Sequence, residues 1–235
     1  MVQNNPRLAP DNTDIMKITK IVARRITADW SRLFPAFTVW QSLRLMRRIG
    51  PVLQGITLDL STSGESYYPH AHVHALTKDF PVVSLDLSQR LITAAGVGEG
   101  IPARLHGERF EDAARRLEAQ SQLPLWEAPT LKQIVHEYRR HALDAQRWRL
   151  PNAEPQLEDS VLVPAAAGKH VLATESLRLV SHVASGWSKL EAPRGWERTS
   201  DWLDWLAARM HDTEGLTVTV EEQILRHKLS EVQTA

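Results

Sequence analysis

The apolar positions of the 235-residue chain repeat with two different periods. Ile15, Ile18, Val22, Ile26 and Trp30 recur every three or four residues, which puts them on one face of a helix over residues 14–33. Residues 11–13 offer cap side chains and Pro35 a stop. The other face of this helix carries Lys17, Lys20, Arg24, Arg25 and Arg32. From Phe37 the pattern changes, and residues 39–46 fit a strand or a helix equally well. Residues 52–60 alternate, with Ile56, Leu58 and Leu60 against Thr57, Asp59 and Ser61. Residues 68–76 alternate again, and residues 82–88 set Val83, Leu85 and Leu87 against Ser84, Asp86 and Ser88. Three short alternating runs between turn residues predict an antiparallel meander with one wet face.

Beyond about residue 100 the helical period returns. Phe110, Ala114 and Leu117 mark one helix, and Leu131, Ile134, Val135, Tyr138, Ala142, Ala145 and Trp148 a longer one. Further helices are expected near 171–183, 200–211 (with Ser200 as cap) and 221–232. The fold class that follows is α+β: a small antiparallel meander packed against helices, with a mostly helical C-terminal half. Pro151 and Pro155 bracket the best boundary. It divides an α+β core over 1–150 from a helical part over 151–235, unless the two form one continuous domain.

Composition narrows the function classes. Lys plus Arg and Asp plus Glu both number 28, and a formal net charge of zero argues against a dedicated, non-specific nucleic-acid binder. The charge is uneven, however: residues 1–50 hold nine basic against three acidic side chains, a local +6 that leaves −6 for the rest. The two regions either face each other or leave the first helix a basic face for an acidic partner or a phosphate backbone. Without cysteine, disulfides, thiolate metal sites and a cysteine nucleophile are excluded. Residues 1–6 lack the pattern of a signal peptide and no apolar run spans a bilayer, so the expected address is the cytoplasm. The Gly96–Gly100 stretch has neither phosphate-loop nor dinucleotide-turn spacing, and G-x-S-x-G and H-E-x-x-H are missing. Trp187, Trp196, Trp202 and Trp205 crowd the C-terminal part, as core fillers or as anchors for a partner.

The remaining chemistry lies in Tyr68-Pro69-His70-Ala71-His72-Val73-His74-Ala75-Leu76. On a strand His70, His72 and His74 share one face and Ala71, Val73 and Ala75 the other. A short hairpin loop over 77–81 would set His74 opposite Ser84, His72 opposite Asp86 and His70 opposite Ser88, with Asp59 on the same face. Histidines two apart on a strand lie about 6.6 Å apart and can converge on one ion. A divalent site would then use His72, His70 or His74, and Asp86 or Asp59, a donor set that suits zinc or manganese. The alternative is a histidine face with no metal, its pairs contributing only surface interactions.

Pro69-His70-Ala71-His72-Val73 resembles the second motif of the HUH endonucleases, the rolling-circle replication initiators and relaxases. The resemblance implies a divalent metal on His70 and His72 and a helical tyrosine that attacks a single-stranded DNA phosphodiester. Tyr138, within Val135-His136-Glu137-Tyr138-Arg139-Arg140-His141, is the downstream tyrosine. Two expectations result: an accessory or binding protein, of bacterial type, acting through another protein, a second copy of itself or a nucleic acid; or an HUH-like nuclease.

Overall fold

The computed structural model describes residues 16–148, 154–187 and 193–235. Helix α1 (Lys20–Leu33) is capped by Thr19, whose hydroxyl accepts from Val22 N–H, so Lys17 precedes the helix. The cap residues expected at 11–13 lie outside the described residues. Residues 38–49, open between strand and helix, form a hairpin of β1 (Thr38–Gln41) and β2 (Arg44–Ile49) around Leu43, whose φ is +65°. Strands β3 (Val52–Leu60), β4 (Ser66–Ala75) and β5 (Asp86–Arg90) continue the meander. The sheet order is β1-β2-β3-β4-β5, all antiparallel, with β6 (Ile101–Pro102) pairing the far end of β4.

The last strand starts later than its alternation predicts. Residues 76–85 are an irregular connection, and a bulge at Leu87 (φ +48°) resets the register, so Val73 rather than His72 faces Asp86. One sheet face packs Leu45, Ile56, Leu58, Tyr67 and Ala71 against Ile26, Trp30 and Phe34 of the α1 region and against α2 (His106–Gln120). Further along, Val52, Val73 and Ala75 meet Ile134, Val135 and Tyr138 of α3 (Leu131–Arg147), which a Thr130/Gln133 capping box starts.

Helix α4 (Glu154–Ala166) already includes the last two residues of the boundary expected over Pro151–Pro155, and residues 149–153 lie outside the described residues. It escapes periodicity because it is buried nearly all round and has no polar stripe to reveal it. It packs with α5 (His170–Ser185) and α6 (Thr199–His211), and this apolar cluster includes Ala142 of α3. Val163 of α4 reaches the sheet cluster, so apolar packing crosses residue 150. Helix α6 begins at Thr199 after Arg198, so Ser200 is not its cap. Helix α7 (Thr213–Arg226) lies upstream of the helix expected at 221–232, because Asp212 caps it by accepting from Gly215 N–H. The last residues instead run parallel beside the end of β2, where Gln233 and Ala235 exchange backbone bonds with Arg48. No described helix is long and apolar enough to cross a membrane.

Candidate functional site

The alternation of β4 puts His70, His72 and His74 on one face, in line with Thr57, Gly55 and Leu53 of β3. That face is not wet. His70 is 6% exposed and His72 and His74 are 2% exposed each. It is covered from a distance in sequence: Leu229 and Val232 close over Met46, Leu53 and Leu76, and Trp40 Nε1 donates to the His227 carbonyl at 2.9 Å. An imidazole marks a position as polar but not as solvated, and the residues that cover it lie some 150 positions downstream.

Each ring has its own surroundings. His72 lies over Gly55, where a Cβ would collide with its imidazole and with Met46 Sδ. Its Nε2 is 3.1 Å from Thr57 Oγ1, its Nδ1 has no partner, and burial pushes its pKa down to about 3. His74 Nδ1 accepts from Ser84 N–H at 3.1 Å, which leaves its proton on Nε2, buried without a partner. Phe80 and His227 stand edge-on to it, and burial first, then His227 and Lys78, lower its pKa to about 4. His70 Nε2 accepts from Arg90 Nε–H at 3.0 Å, and its Nδ1 is 3.4 Å from Ser88 Oγ. Asp59 Oδ2 is 3.5 Å from His70 Nε2, but burial outweighs its charge and the His70 pKa is lowered.

Of the proposed metal ligands, then, the fold brings Asp59 to His70 and keeps Asp86 away from His72. Asp86 accepts from Ser84 Oγ, and its charge acts on Tyr138 and Asp159. Among the described residues no three His, Asp or Glu side chains are placed to hold a metal ion. The expected register is not kept, since His70 lies opposite Arg90 and Ser84 precedes β5, but the side chains of His74 and Ser84 and of His70 and Ser88 still meet.

Tyr138 sits on the opposite side of the sheet. It is wholly buried among Val52, Val73, Ile134 and Val163, and its hydroxyl has no hydrogen-bond partner. Burial, helped by Asp159 and Asp86, raises its pKa well above the ordinary phenol value. The fold therefore does not bring Tyr138 to the histidines, and a phosphodiester has no path to its hydroxyl.

Two buried polar networks escaped the sequence reading. Trp30 Nε1 donates to Tyr67 Oη (3.2 Å), Tyr67 Oη meets His106 Nδ1 (2.7 Å), and His106 Nε2 meets Asp29 Oδ2 (3.0 Å). That chain ties α1, β4 and α2 together. In the second, Lys78 Nζ bridges Asp159 Oδ1 (2.8 Å) and Glu158 Oε2 (3.2 Å), and Trp202 Nε1 donates to Glu158. Burial raises the Asp159 pKa to about 6 against the pull of Lys78. The partners in both networks are separated by tens of residues, and no motif links them.

The tryptophans resolve toward the core: Trp202 is fully buried, with Trp187 stacked at 5.5 Å, and Trp196 lies against Trp205. The basic face of α1 is what remains open. Lys17, Lys20, Arg24 and Arg25 are exposed and make no ion pair among the described residues, whereas Arg32 pairs with Asp29. No family model, curated protein or solved structure matches the chain.

Proposed function

We propose that the chain is a cytoplasmic binding protein that acts through a macromolecular partner, and that α1 receives this partner by its phosphate backbone. One observation carries the reading: Lys20, Arg24 and Arg25 stand on the face of α1 opposite buried Ile26 and Trp30, exposed and without described acidic partners. Residues 16–50 hold eight basic side chains and one acid, Asp29, so the local field is positive although the whole chain is neutral. Surface cations of this kind are individually weak and act together on a polyanion, releasing its counterions. Metal-dependent strand cleavage through Tyr138 finds no such support, because the hydroxyl is sealed on the other side of the sheet.

The test is fluorescence anisotropy with a labelled 20-mer, single-stranded or duplex, against the parent chain and a K20Q/R24Q/R25Q variant. The reading expects saturable binding at low salt that the variant largely loses while keeping its folded circular-dichroism spectrum. Binding of equal strength by parent and variant would overturn it.

A further inference from the structure

A second surface lies along α3, away from the basic edge of α1. A cavity of about 650 Å³ opens where α3 begins beside the start of α5, lined by Leu131, Val171, Leu172, Lys132 and Lys169 among others. A neighbouring cavity of about 340 Å³ shares Thr130 and Lys132 with it and adds His136. A third, of about 120 Å³, shares Gln122 and Glu137 with the second and reaches Arg140, His141 and the Leu87–Gln89 stretch of β5. Shared lining residues place the three side by side, as a trough of adjoining pockets along α3. From Lys132 to His141 it follows nine residues of α3, about 13 Å at the helical rise. It ends at β5, which pairs with β4 on one side and is the last strand of the meander.

Its charges are not balanced. Glu137 is held by Arg140 at 2.7 Å and Glu175 lies 4.0 Å from Arg139, so both carboxylates already face a guanidinium. Lys132 and Lys169 are exposed and have no acidic partner among the described residues. Helix α5 also starts at this cavity without a side-chain cap, which leaves its leading backbone N–H groups for an acceptor. Val171, 76% exposed, is an apolar seat beside these donors.

We infer that this trough docks an extended, acidic peptide segment of a partner protein. Its carboxylates lie against Lys132 and Lys169, its apolar side chains meet Val171 and Leu172, and its far end runs beside β5. An acidic peptide fits better than a nucleic acid because the two lysines without described partners stand beside the apolar Leu131, Val171 and Leu172, and the guanidinium further along, Arg140, is already held by Glu137. An edge strand beside a helix is also a recurrent seat for an extended peptide. This inference does not depend on the α1 reading.

The experiment uses the full chain and a fluorescein-labelled octapeptide of alternating Asp and Val, with the Lys/Val analogue as control. Saturable binding of the Asp/Val peptide alone is expected. It should be weakened about tenfold or more by K132E/K169E, the scale of reversing two surface charge contacts, and be unchanged in K20Q/R24Q/R25Q. V171E should weaken it as well, a second reading of the same seat. Unchanged binding in K132E/K169E would overturn the inference. So would equal binding of the Lys/Val peptide, no saturation up to millimolar peptide, or displacement by single-stranded DNA that persists in the α1 variant. Failure of the α1 reading shows instead as loss of oligonucleotide binding in neither variant.

Discussion

Acidification should destabilise this protein largely through two histidines. In the unfolded chain His72 and His74 titrate near their ordinary 6.5, whereas burial holds them at about 3 and about 4 in the fold. Between those values and 6.5 the unfolded state binds more protons, so stability falls as pH falls. At pH 5 the loss is about 2 kcal/mol for each ring, or about 4 kcal/mol for both. Asp159 works in the opposite direction. Its folded pKa of about 6 lies above its ordinary 3.8, so the fold gains about 1 kcal/mol between pH 7 and pH 5 as the carboxyl takes up its proton. The net loss is therefore about 3 kcal/mol, a large share of the stability of an ordinary domain. Urea titrations followed by tryptophan fluorescence at pH 7, 6 and 5 measure it. An H74N variant keeps an acceptor for Ser84 N–H but cannot titrate, so its loss over the same interval should be smaller by about 2 kcal/mol. If H74N and the parent lose the same stability, His74 is not the buried neutral group described above and the reasoning fails.

Gly55→Ala should cost about 1–3 kcal/mol in the same urea assay at pH 7, because the added methyl meets His72 and Met46 in a closed layer. Tyr138→Phe should be neutral or stabilising by up to about 1 kcal/mol, since the hydroxyl it removes is buried without a partner; a large destabilisation would show an unseen bond. Lys78→Met should cost about 3–5 kcal/mol at pH 7 by removing the cation that favours the charged form of buried Asp159. That cost should shrink at pH 5, where Asp159 is neutral, and a pH-independent cost would contradict the ion pair.

Alternation and helical period were enough to place β3, β4, α1, α3, α5 and α6, since each repeats its apolar positions along one face; β1 and β2 stayed open between strand and helix, and β5 begins later than its alternation predicts. Helix α4 was illegible for the opposite reason: buried all round, it carries no stripe. Within the candidate site the shared face of His70, His72 and His74 was legible from their spacing, because strand side chains alternate by geometry. Its environment was not. Alternation cannot tell that Leu229 and Val232 close over that face, or that a bulge at Leu87 turns Asp86 away from His72. Tyr138 lay on the apolar stripe of its helix, and the stripe described it better than the motif did. The Tyr67–His106–Asp29 chain depends wholly on tertiary contact between α1, β4 and α2.

Partner binding through α1 is tested most directly by the salt dependence of affinity for a duplex 20-mer, measured between 50 and 200 mM salt. Each phosphate contact contributes about −0.9 to the slope of log affinity against log salt. Removing Lys20, Arg24 and Arg25 together as K20Q/R24Q/R25Q should therefore make the slope shallower by about 2.7. Parent and variant slopes that coincide would contradict the account.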